Sequence, residues 1–173
     1  MEPIGPKGKT MRTKRINKAP LVIATLALVV LLIGSLPTRA SEDYEHLYSD
    51  TEAQRIFMES KFHEYFPEPG LAEAVIELAD CESTGLIHWL PDGTLRPNIP
   101  KKGRKQTSAG GVMQVLLSLH RKDYKRLGLD MYDIDDYMKY VRHLYDTQGP
   151  ANAWDECVVQ LPDTVVAVLK QYD

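Results

Sequence analysis

Cys81-Glu82-Ser83 closes a stretch in which a carboxylate is set at the end of an apolar helical face. Leu71, Ala74, Val75, Leu78 and Ala79 recur at the spacing of one buried helix face, and the next position on that stripe is Glu82. Glu73, Glu77 and Asp80 fall on other faces of the same helix. A carboxyl drawn inward loses hydration, which favours its protonated form. In that form it can protonate a leaving oxygen as a general acid. The plainer use of such a residue is a core Glu satisfied by nearby donors. After Glu82 comes a polar stretch, then Ser108-Ala109-Gly110-Gly111-Val112-Met113-Gln114. Two adjacent glycines there allow close backbone approach or form a turn.

A second carboxylate would widen the chemistry to include activation of water. Asp92 is the candidate, in Pro91-Asp92-Gly93-Thr94, although that run is also ordinary turn chemistry. The chain has two cysteines, Cys81 and Cys157. An even count in an exported chain favours a disulfide. The rival use is a nucleophilic cysteine beside His88, His120 or His143; ligand spacing for a metal is absent, and no cofactor motif is read.

The elements that must position these residues read as mainly helical, α+β in class, with a small β-hairpin or loop wing. Residues 1–19 are a basic segment and 20–40 an export segment: positions 21–36 carry no charge, and Lys7, Lys9, Arg12, Lys14, Arg15 and Lys18 precede them. This segment is either a cleaved signal ending at Ala40 or an uncleaved anchor through 20–36. In both cases the basic flank stays cytoplasmic and residues 41–173 lie outside, secreted or membrane-anchored. Positions 1–40 hold seven basic residues and one acidic. Removing these from totals of 21 and 24 leaves 14 basic and 23 acidic, a net charge of −9. That balance excludes the nucleic-acid binders, which need the opposite one.

Residues 41–48 read as a tether and 49–173 as the folded domain. A first helix starts at Ser49 or Asp50 and stops before Pro67, with Ile56, Phe57, Phe62, Tyr65 and Phe66 as core or docking residues. Helices are also expected from Gly70, over 118–127, over 134–148 with Asp133 as cap and Gly149 as stop, and over 165–169. Ile87 to Arg96 suits a small hairpin. Arg96, Lys101, Lys102, Arg104 and Lys105 form a basic loop, either simply solvated or touching an anionic polymer. Asp135 and Lys139 suit an exposed ion pair along the fourth helix.

Three stretches together resemble the lysozyme-like lytic transglycosylases of the soluble lytic transglycosylase superfamily: Cys81-Glu82-Ser83-Thr84-Gly85, Gly111-Val112-Met113-Gln114 and Tyr140-Val141-Arg142-His143-Leu144-Tyr145. The start is also similar to that of resuscitation-promoting factors, and Trp154-Asp155-Glu156-Cys157 looks like the ending of small secreted members. The resemblance covers residues 70–157. It implies that Glu82 is the sole acid and base in cleaving the bond between N-acetylmuramic acid and N-acetylglucosamine. It also implies that Ser83 orients substrate or Glu82, and that Met113, Gln114 and Tyr140 line the cleft. The partners it implies are peptidoglycan strands, acted on by a monomer. The family's frequent Ala-Tyr-Asn motif is missing, and Ala153-Trp154-Asp155 stands in its position. Small members often carry Asn where Tyr137 stands and Gly where Thr84 stands.

Overall fold

The computed structural model describes residues 44–98, 103 and 105–172. The basic segment, the export segment and part of the basic loop (Lys101, Lys102 and Arg104) lie outside the described residues. The architecture is mainly helical, as the patterning indicates, and it carries one small antiparallel sheet. Among the described residues no helix is long and apolar enough to cross a membrane.

Helix α1, Thr51–Tyr65, begins where Asp50 accepts from the amides of Glu52 and Ala53 at 3.1 and 3.0 Å. That side chain satisfies two of the amides a helix start leaves open. Gln54, Met58 and Phe62 form the buried face, each one turn from the last. Ile56 does not join them: it is 60% exposed, because its position falls off that face. The folded region also begins before Ser49. Leu47 is buried, Tyr44 stacks on Trp89, and Gln54 donates to the Leu47 carbonyl at 3.0 Å. Residues 44–48, read as tether, are thus packed against the core.

Helix α2, Leu71–Ser83, follows Gly70, which has a positive φ of 76°. Its buried residues are Leu71, Ala72, Ala74, Val75, Leu78, Ala79 and Ser83. Thr84 ends it in the left-handed region, and Asp80 accepts from the Gly85 amide at 2.7 Å. The expected hairpin after it is reduced to one bridge, Trp89 to Leu95, closed by a Leu90 amide to Thr94 carbonyl bond of 2.8 Å.

The named sheet lies later. Strand β1, Ala109–Gly110, pairs antiparallel with β2, Val115–Leu116. Pro97 bridges to Gly110 on the other side. Helix α3, Leu117–Arg126, leaves no residue fully buried. Helix α4, Ile134–Gln148, runs between the Asp133 cap and Gly149 as expected, and it carries the heart of the core. Seven of its side chains are buried, among them Tyr137, Tyr140 and Tyr145. Asp135 does not pair with Lys139. Lys61 of α1 takes it at 2.6 Å, and Lys139 pairs with Asp136 one residue on. Arg142 clamps Glu68 through two nitrogens, at 2.8 and 2.9 Å, tying α4 to the link between α1 and α2.

Two short helices, α5 (Pro150–Ala153) and α6 (Asp155–Val158), precede α7, Asp163–Gln171. Helix α7 packs on α2. Cys81 and Cys157 form a disulfide that joins the last turn of α2 to α6 across 76 residues of chain.

Candidate active site

The Glu82 neighbourhood is assembled from α2, α4 and the turn between β1 and β2. Glu82 is half-buried in the last turn of α2. The stripe that ends there splits between two residues. Ser83, one turn after Ala79, takes the fully buried place, and Glu82 takes the edge. Beside Glu82, Cys81 is fixed to Cys157.

Tyr137 of α4 braces the turn between β1 and β2. Its ring is fully buried, and its hydroxyl donates to the Gly110 carbonyl at 2.9 Å. The same oxygen accepts from the Met113 amide at 3.1 Å. Burial pushes the phenol pKa up, the amides of Met113 and Val115 pull it down, and the negative charge of Glu82 raises it again. Tyr137 therefore holds the turn while sitting in the field of the carboxylate. The approach needs glycine at 111: φ is +75°, and a Cβ there would meet the Tyr137 ring and hydroxyl at 2.7 Å.

Trp154 supplies a second brace, donating its indole N–H to the Met113 carbonyl at 2.8 Å. His88 supplies a third. Its Nδ1 accepts from the Val112 amide at 3.1 Å, and burial pushes its pKa down to about 3, so the ring is neutral at physiological pH. An accepting Nδ1 puts the proton on Nε2. The Met113 and Val112 backbone is thus held by three aromatic side chains from three parts of the chain.

The remaining site residues are placed as follows. Ser83 donates to the Ala79 carbonyl at 2.9 Å, a bond within its own helix. Met113 is fully buried, so the turn rests on its side chain. Gln114 is half-buried with a positive φ of 47°. Its Nε2 donates to the Gly111 carbonyl at 2.8 Å and the Arg96 carbonyl at 3.4 Å. Arg96 in turn donates to the Thr84 carbonyl just past Glu82, at 3.2 Å. Glu82, Tyr137, Gln114 and Arg96 are therefore linked through neighbouring backbone. Tyr140 belongs to a different cluster. It is fully buried, and its hydroxyl donates to Asp123 of α3 at 3.2 Å, where His143 and Arg126 also meet that carboxylate.

Asp92 is used by its turn. It is exposed, and its Oδ1 accepts from the Thr94 hydroxyl at 2.6 Å and amide at 2.9 Å. Those two bonds, the hydroxyl first, hold its carboxyl below the usual range. Among the described residues no cluster of three His, Cys, Asp or Glu is placed to hold a metal ion.

Tyr137 enters the sequence reading only as a departure from small family members, and its bracing role is not legible there. The glycine pair signals a close approach, yet nothing local names the aromatic that makes it. Replacing Tyr137 by Phe should leave the Met113 amide without its partner, while the Gly110 carbonyl keeps its place in the ladder opposite Val115. One buried group so orphaned costs roughly 1–3 kcal/mol. Urea unfolding of the variant should show that loss, and a loss under about 0.5 kcal/mol would mean the hydroxyl does not hold the turn. No family model, curated protein or solved structure matches the chain.

Proposed function

We propose that the chain is a lysozyme-like peptidoglycan lytic transglycosylase, exported and monomeric, with Glu82 as its single acid and base. One observation carries this reading: a half-buried Glu on a disulfide-anchored helix end, its charge felt by the phenol that braces the Gly-Val-Met-Gln turn. A proton donor near backbone that is already braced by Tyr137, Trp154 and His88 would meet substrate in a preorganised setting, which acid–base catalysis needs.

In the proposed reaction, protonated Glu82 gives its proton to the oxygen joining N-acetylmuramic acid to N-acetylglucosamine. The C1–O bond breaks, and the departing sugar leaves with a hydroxyl. The carboxylate then takes the proton of the muramoyl C6 hydroxyl, whose oxygen bonds to C1. A 1,6-anhydro ring closes, Glu82 is protonated again, and no water is consumed. Ring closure within the substrate needs one carboxylate. A hydrolysing muramidase would need a second carboxylate or a positioned water. Asp92 is the sequence candidate for that role, and its engagement with Thr94 weighs against it.

Mass spectrometry of products from purified full-length protein and intact wall glycan tests the reading. Fragments should end in anhydromuramyl groups. Reducing ends would show a hydrolase instead, and undigested glycan would leave a wall-binding protein on this fold.

A further inference from the structure

Glu82 does not line the groove that α3 makes with the segment after it, a depression of about 600 Å³. That size lies within the roughly 300–1,000 Å³ typical of ligand sites. Leu129 and Met131 contribute apolar surface, and Tyr132, 73% exposed, adds an aromatic ring at the solvent edge. Arg121 and Lys125 line it one helical turn apart. Neither has an ion-pair partner among the described residues, whereas their neighbour Arg126 is taken by Asp123 at 2.6 Å. These two cations stand out on a region of net charge −9 after residue 40. One carboxylate, Asp130, shares the groove, and its Oδ1 accepts from the Tyr132 amide at 3.0 Å.

The groove is joined to the candidate site through the hairpin. Ser108 and Ser118 both line it, and their hydroxyls bond to each other. Ser108 leads directly into β1, whose Gly110 carbonyl receives the Tyr137 hydroxyl beside Glu82. The groove and the Tyr137 brace therefore share one hairpin.

We infer that the groove binds the peptide stems carried by peptidoglycan, with Arg121 and Lys125 taking stem carboxylates and Asp130 facing a stem amine. This rests on the glycan-cleaving reading above. Two cations and one carboxylate complement a chain that bears carboxylates and an amine. A uniformly anionic phosphodiester polymer would meet Asp130 as a like charge. The guanidinium of Arg121 can grip a carboxylate through two parallel bonds. The exposed ring of Tyr132 offers apolar cover to the stem between its charges.

The test compares four probes on the full-length chain in mild detergent, carrying Glu82→Gln so that nothing is cleaved. The probes are soluble glycan strands with stems, the same strands stripped of stems by an amidase, a free tetrapeptide stem, and poly(glycerol phosphate). By calorimetry, stem-bearing strands should bind about tenfold tighter than stripped ones, the size of two screened charge contacts. Adding Arg121→Gln with Lys125→Gln should reduce that ratio to near one and weaken the free stem similarly. Equal affinity for stemmed and stripped strands, an unchanged ratio in the variant, or tighter binding of poly(glycerol phosphate) would each overturn the inference. The two readings fail separately. Free-stem binding lost with Arg121 and Lys125, in a parent that cleaves no glycan, keeps the groove and removes the enzyme. Cleavage with a ratio of one does the reverse.

Discussion

Glu82→Gln should lower glycan cleavage by about 10²–10⁴-fold, the range that a positioned general acid and base contributes. The substitution keeps the size and shape of the side chain and removes its titrating proton. Both proposed steps pass through that proton, so an amide cannot substitute at either one. The fold should tolerate the change, because Glu82 occupies the half-buried edge of α2 and the buried face beside it is apolar or Ser83. Unfolding measured beside the digestion assay separates chemistry from stability: activity should collapse while the midpoint in urea moves little. The result that sinks the mechanism is a Gln variant that digests wall glycan as well as the parent. In that case the lysozyme-like reading survives only as a binding protein.

Helix ends were legible because their chemistry is local. Asp50 and Asp133 cap with their own carboxylates, Gly149 and Gly70 supply backbone angles, and each was readable within four residues of its helix. The hairpin was not legible. Strands of two residues, Ala109–Gly110 and Val115–Leu116, are too short to show alternation, and their pairing is set by what braces the turn. Those braces, Tyr137, Trp154 and His88, lie 24, 41 and 24 residues from the backbone groups they hold. Ion pairing failed for the same reason. Lys139 lies on the same helix as Asp135, yet Lys61, 74 residues away, takes that carboxylate. At the site, the helical stripe located the end of α2 correctly and blurred two adjacent positions. Positions 82 and 83 both follow from it, since each is one turn beyond a buried residue, Leu78 or Ala79. The structure resolves the tie by burying the short hydroxyl, which can bond its own helix, and leaving the longer carboxylate at the rim.

Breaking the Cys81–Cys157 disulfide should remove a large share of this domain's stability. The bridge closes 76 residues of chain. Restricting a loop of that length in the unfolded state is worth about 4–5 kcal/mol by chain entropy, set against a total stability of about 5–15 kcal/mol for a typical domain. Replacing both cysteines by Ala avoids leaving a polar group at Cys157, which is buried. The double variant should melt about 10–20 °C lower than the oxidised parent. The loss should also reach function before it reaches the fold. Cys81 immediately precedes Glu82, and Cys157 follows Trp154, whose indole holds the Met113 carbonyl. One covalent link therefore ties the carboxylate's helix end to the brace of the turn between β1 and β2. Without it, the last turn of α2 keeps Asp80 as its cap, but its anchor to α6 is gone. Activity in the double variant should then fall at temperatures where its far-ultraviolet circular dichroism is still that of the folded chain. A variant whose activity and ellipticity are lost together would show that the bridge acts on global stability alone and gives Glu82 no local support.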